Sequence, residues 1–141
     1  MKSTIFKIAG TLAIAAFIFS CAPEEATNNN TSPTDPKAKW IGSWTCQETA
    51  GANPGTYTIH ISDSVGTTYV TIENLYNSGF QTKVKGNISS SNITIANQPL
   101  GSGAYTIYGS GSMVSNTSVN LNFSVNDGST IDNVTALLTK Q

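Results

Sequence analysis

From Trp40 to the end of the chain, apolar residues recur at every second position, and no window carries a helical stripe. That periodicity excludes a helical architecture, because a strand shows alternate side chains to opposite faces while a helix repeats every 3.6 residues or so. Tyr57, Ile59 and Ile61 alternate with Thr58, His60 and Ser62, then Val70 and Ile72 with Thr71 and Glu73. Thr82, Val84, Gly86 and Ile88 alternate with Lys83, Lys85 and Asn87, and a polar turn at Ser89 to Ser91 leads into Ile93 and Ile95. Tyr105 and Ile107 precede Gly109-Ser110-Gly111, and Val119, Leu121, Phe123 and Val125 form the cleanest alternation of all. Asn126-Asp127-Gly128 reads as a turn, since glycine supplies the positive φ that tight hairpins need. Val134, Ala136 and Leu138 complete the last strand.

With a first strand around Trp44 to Glu48, the pattern predicts an all-β fold of about eight strands in an antiparallel meander. Such a meander closes most naturally into a small barrel, which removes unpaired edges. The alternative is a two-sheet β-sandwich, with Gly101 to Gly103 and Gly109 to Gly111 as corners or bulges. Strands of about five to eight residues predict a largely filled core. They also fall short of the roughly 9 to 11 residues that an outer-membrane barrel needs to cross the bilayer.

The segment before the repeating pattern is of a different kind. Lys2 and Lys7 precede an apolar run from Ile8 to Phe19, broken only by Gly10 and Thr11 and closed by Ser20-Cys21. The run is too short for a membrane span of about 20 apolar residues and has the shape of a secretory signal. Ile18 and Ser20 before Cys21 resemble the lipobox of bacterial lipoproteins, which implies removal of residues 1–20 and a diacylglyceryl Cys21, usually with a further acyl chain such as palmitate. Two or three chains hold a protein on a bilayer where one does not. Ala22 in place of aspartate implies sorting to the outer membrane, and Glu24-Glu25 resembles the signal that carries Bacteroidota lipoproteins to the cell surface, so the facing side stays open. Residues 21–39 are rich in Asn, Thr, Ser and Pro and are expected to form a flexible tether, leaving 40–141 as a single domain.

Charged residues make up only 11% of the chain and the net charge is -1. There is no basic field to hold nucleic acid, so a nucleic-acid partner is not expected. If Cys21 carries lipid, Cys46 has no partner within a monomer and is expected to be a small buried hydrophobe. His60 is the lone histidine and points outward on the alternation, without a metal-ligand or triad motif around it. Glu48 and Glu73 are the one carboxylate pair considered for glycosidase chemistry, while Asp63 and Asp127 sit in turns. No cofactor, metal or catalytic residue is expected, and the domain reads as a non-enzyme.

Aromatic residues are the better lead. Trp44 and Tyr105 are expected as buried plugs, whereas Tyr69, Tyr76 and Tyr108 lie on the opposite alternation or in turns and are the candidate binding residues. Asp63-Ser64-Val65 resembles the O-glycosylation tripeptide of Bacteroidota, which makes Ser64 a candidate modification site. Trp40-Ile41-Gly42-Ser43-Trp44, Asn92-Ile93-Thr94-Ile95, Tyr108-Gly109-Ser110-Gly111 and Val125-Asn126-Asp127-Gly128 together resemble the small lipocalin-like lipoproteins of Bacteroidota. The resemblance implies a lipocalin-like barrel with a tryptophan closing one end, and no defined activity. The function expected is therefore that of a non-catalytic anchored binding domain for glycan, peptide or a small apolar ligand; the alternative is a small cell-envelope hydrolase or enzyme inhibitor.

Overall fold

The computed structural model describes residues 35–141. The expected signal peptide, Cys21 and residues 22–34 of the expected tether lie outside the described residues. Eight strands follow in order: β1 (Gly42–Ala50), β2 (Thr56–Asp63), β3 (Tyr69–Glu73), β4 (Lys83–Ser89), β5 (Asn92–Leu100), β6 (Tyr105–Ser115), β7 (Ser118–Asn126) and β8 (Ile131–Lys140). Each pairs antiparallel with the next, and β1 pairs with β8 to close a barrel. The meander barrel expected from the periodicity is the fold, and the sandwich is not.

The alternation places the core directly. Val84, Gly86 and Ile88 on β4 and Val119, Leu121, Phe123 and Val125 on β7 face inward and are buried, with exposed or half-buried polar residues between them. Isoleucine, leucine, valine and two tryptophans fill the interior. Fully burying one such aliphatic side chain contributes about 1.5–3 kcal/mol relative to exposure, so a filled barrel is its own scaffold.

Two expectations need correction. The glycines at 101 and 103 lie in the β5–β6 turn with φ of 65° and 86°, but Gly109 and Gly111 sit inside an unbroken stretch of β6. A Cβ on Gly109 would come within 2.7 Å of the Phe123 Cα, and one on Gly111 within 2.8 Å of the Asn120 carbonyl oxygen. These glycines let β6 and β7 approach closely; the register shifts fall instead at Glu48/Ala50, Ile95/Gln98 and Met113/Ser115.

The strands are also longer than expected. β6 has 11 residues and β8 has 10, enough to cross a bilayer. Polarity, not length, separates this barrel from a membrane-spanning one, because its apolar residues face inward and serine, threonine and asparagine face out, the inverse of a lipid-facing wall.

Candidate functional site

The meander gathers the loops after β1, β3, β5 and β7 at one end of the barrel. The loops after β2, β4 and β6, with residues 35–41, lie at the other. That second end is sealed. Trp40 and Trp44 are both fully buried there, and the Trp44 Nε1 donates to the Trp40 carbonyl at 2.8 Å. Lys140 lies over the Trp44 ring, 5.3 Å from its centroid, and donates to the Lys39 carbonyl at 2.8 Å. Lys37 is buried as well, its ammonium held by the Asp63 carboxylate and by the Gly66 carbonyl at 3.0 Å. Packing therefore begins ahead of Trp40, within the stretch expected as tether. Apolar content could not show this, because Lys37 is buried by pairing and not by hydrophobicity.

The opposite end is a mouth built around Tyr76, in the short turn Leu75–Asn77 between β3 and β4. Asn74, Tyr76 and Asn77 have φ of 64°, 61° and 50°, a left-handed backbone that non-glycine residues adopt at a cost of order 1–3 kcal/mol each. Local bonds offset that cost. The buried Asn74 donates through Nδ2 to the Thr58 carbonyl at 2.7 Å and accepts from the Gly79 N–H at 2.7 Å. The Ser78 hydroxyl donates to the Leu75 carbonyl at 2.6 Å.

A relay of polar groups runs beneath this turn. The Tyr57 hydroxyl donates to Glu48 Oε1 at 2.6 Å and accepts from the Tyr76 N–H at 3.0 Å. The Tyr76 hydroxyl donates to Asp132 Oδ2 at 2.9 Å, and Asp132 Oδ1 accepts from the Ala52 N–H at 2.8 Å. The Tyr76 ring also packs edge-on against Phe123, centroids 6.2 Å apart, so the core fixes its direction. Glu48 is only 8% exposed. Burial raises its carboxyl above the ordinary range and the Asp132 charge adds to this, against the opposing bond from Tyr57. Burial and the bond to Asp132 push the Tyr76 phenol up to about 12, and burial pushes the Cys46 thiol, beside Tyr57, up to about 11. Cys46 is thus the inert buried thiol expected.

Two clefts open on either side of Tyr76. One of about 340 Å³ is lined by Ala52, Tyr76, Tyr105, Val125, Ile131 and Asp132 among others; the second, about 270 Å³, by Glu48, Asn53, Tyr57 and Tyr76 among others. Phe80, Tyr105 and Ile131, in or beside the mouth loops, are 50%, 47% and 53% exposed. Tyr105, expected as a buried plug, is thus a rim residue: its parity is inward, but it is the first residue of β6, at the open end of the barrel.

The three tyrosines singled out in the sequence are not brought together. Tyr76 is in the mouth, Tyr108 is exposed on the outer face of β6, and Tyr69 is half-buried on β3 with the Lys85 ammonium 3.8 Å from its ring centroid. Ser64 lies at the sealed end, its N–H bonded to Asp63 Oδ1 at 2.8 Å. His60 is half-buried, its Nδ1 3.3 Å from the Ser43 hydroxyl, and it pairs in register with Glu73. Glu73 lies 3.4 Å from Lys83, while Glu48 faces the mouth, so the Glu48–Glu73 pair considered from sequence does not form. The carboxylate that adjoins Glu48 is Asp132, missed because its approach depends on β1 pairing with β8. No group of three possible metal ligands occurs among the described residues.

No family model and no curated protein matches this chain. Among solved structures it is similar to a redesigned β-barrel, with a TM-score of 0.52 and 13% identity over 76% of this chain and 96% of that one. That likeness shows the fold alone.

Proposed function

We propose that this protein is a non-catalytic binding lipoprotein, held on the outer membrane through an acylated Cys21, whose barrel presents its tyrosine mouth to a peptide or glycan. The observation that carries the reading is the asymmetry of the barrel ends. The end where residue 35 begins is sealed by two indoles, and the other gathers Tyr57, Tyr76, Tyr105, Glu48 and Asp132 around two clefts. Aromatic faces suit the apolar side of a sugar or peptide. The filled interior argues against a small apolar ligand held inside the barrel. Binding is favoured over hydrolysis because the carboxylates are already engaged, Glu48 by Tyr57 and both oxygens of Asp132 by Ala52 and Tyr76.

The test is amide-shift mapping of the mature chain with short peptides and oligosaccharides. Shifts clustered at residues 52, 76, 105 and 132, lost in Tyr105→Ala, are expected; shifts that ignore the mouth overturn the reading. Fractionation tests the anchor separately, since Cys21→Ala is expected to leave the membrane fraction.

A further inference from the structure

No aspartate, glutamate, lysine, arginine or histidine occurs from Gly86 to Asn126, the whole of β5, β6 and β7 together with the second half of β4. The remaining wall is ordinary: Lys83, Lys85, Glu73 and His60 all lie on β2 to β4. On the uncharged side, the register lines up outward residues in rows across three strands. Tyr108 pairs with Ser124 and Ser124 with Asn133, while Ser110 pairs with Asn122 and Asn122 with Thr135.

Hydrogen bonding within these rows is directional. The Ser124 hydroxyl donates to Asn133 Oδ1 at 2.7 Å, and the Thr135 hydroxyl donates to Asn122 Oδ1 at 3.0 Å. Each carboxamide has its oxygen taken by a neighbouring hydroxyl, and neither Nδ2 has a protein acceptor among the described residues. Two amide donors are thereby oriented and left for a ligand. Beside them Tyr108 is 40% exposed, and a cleft of about 450 Å³ runs between the tyrosine and the amides. A second cleft of about 250 Å³ shares Ser110 and Asn122 with it and continues toward Asn92 and Asn120. The two make one extended track.

We propose that this wall binds a neutral polysaccharide, with one sugar stacked on Tyr108 and its neighbours accepting hydrogen bonds from Asn122 and Asn133. Charge selects this occupant. An anionic or cationic ligand finds no counter-charge on the track, and an anionic lipid surface needs basic residues that are absent from it. Protein interfaces concentrate aromatic and apolar residues at their centre, whereas here a single tyrosine is set among asparagine, serine and threonine. An uncharged sugar chain offers hydroxyl acceptors at repeated intervals and a C–H face to the ring. This site is distinct from the mouth and does not depend on it.

Affinity electrophoresis of the mature chain tests the proposal, with uncharged glucans, mannans and xylans in parallel gels and polygalacturonate as a charged control. Retardation by at least one neutral polymer and none by polygalacturonate is expected. Tyr108→Ala should weaken it by about tenfold, on the scale of one aromatic contact. Asn122→Asp, which keeps the shape but removes the donor and adds charge, should abolish it, while Lys83→Ala, exposed on β4 and outside both sites, should bind as the parent does. Thermal melts of both wall variants should match the parent, showing that binding and not folding is lost. The proposal is overturned if no neutral polymer retards the chain or if both wall variants bind normally. It is equally overturned if sedimentation shows a dimer that Asn122→Asp dissociates, since the wall would then belong to a second copy.

Discussion

The two ends of the barrel solve the same problem with opposite chemistry. The sealed end buries two indoles over the core and closes them with lysines, Lys37 on Asp63 and Lys140 over Trp44. The mouth uses tyrosines and carboxylates in a hydrogen-bonded chain and carries three non-glycine residues in left-handed backbone. Strain of this kind persists where surrounding structure over-determines it, and at the sealed end Ser90 alone among non-glycine described residues adopts it. The sealed end shows what closure alone requires; what the mouth adds is polar groups held in fixed directions.

The largest expected effect belongs to the sealed end. Trp44→Ala removes a fully buried indole and should cost about 3–5 kcal/mol in urea unfolding. A loss below about 1 kcal/mol would mean that the end collapses without its plug, and the contrast between the ends would weaken. At the mouth, Tyr57→Phe leaves Glu48 without its donor and the Tyr76 N–H without its acceptor, and should cost about 1–3 kcal/mol. If Tyr57→Phe proves neutral, the relay is not what holds the mouth.

The ends should also respond to pH in opposite senses. Glu48 has a raised pKa, so its contribution is complete below the ordinary carboxyl value of 4.5 and is lost as pH rises through the raised one. Glu48→Gln should therefore flatten the stability profile above pH 4.5 and gain on the parent toward neutrality. A parallel offset between the two profiles would show that the carboxyl titrates normally. Asp63 is the reverse: its bond to Lys37 lowers its pKa, so its contribution is present above 3.8 and is lost as pH falls through the lowered value. The exposed carboxylate makes this the smallest effect. Because the chain's two tryptophans both lie at the sealed end, intrinsic tryptophan fluorescence should report that acid loosening, and Lys37→Met should abolish the shift.

Much of the fold was legible because strand periodicity is local. Trp44, Cys46 and Glu48 share a parity, and all three are buried. That parity places Glu48 on the inner face, while Glu73, next to inward Ile72, faces out, so the alternation alone separates the two carboxylates. Tyr105 was misplaced because parity tells which face a residue takes, not how near the rim it lies. The uncharged run from Gly86 to Asn126 was also readable directly, but its meaning was not, since only the register places Tyr108, Ser124 and Asn133 in one row.

The sequence by itself determined the alternation, the strand count and the all-β architecture, because each follows from residues adjacent along one strand or turn. Only the tertiary structure decided that Glu48 and Asp132 share a mouth, that Lys37 belongs to the domain, and that the uncharged strands form one continuous face. The first depends on β1 meeting β8, the second on residues 35–41 folding back, and the third on the registers that join β5, β6 and β7. Such long-range closures bring together residues that no local pattern relates.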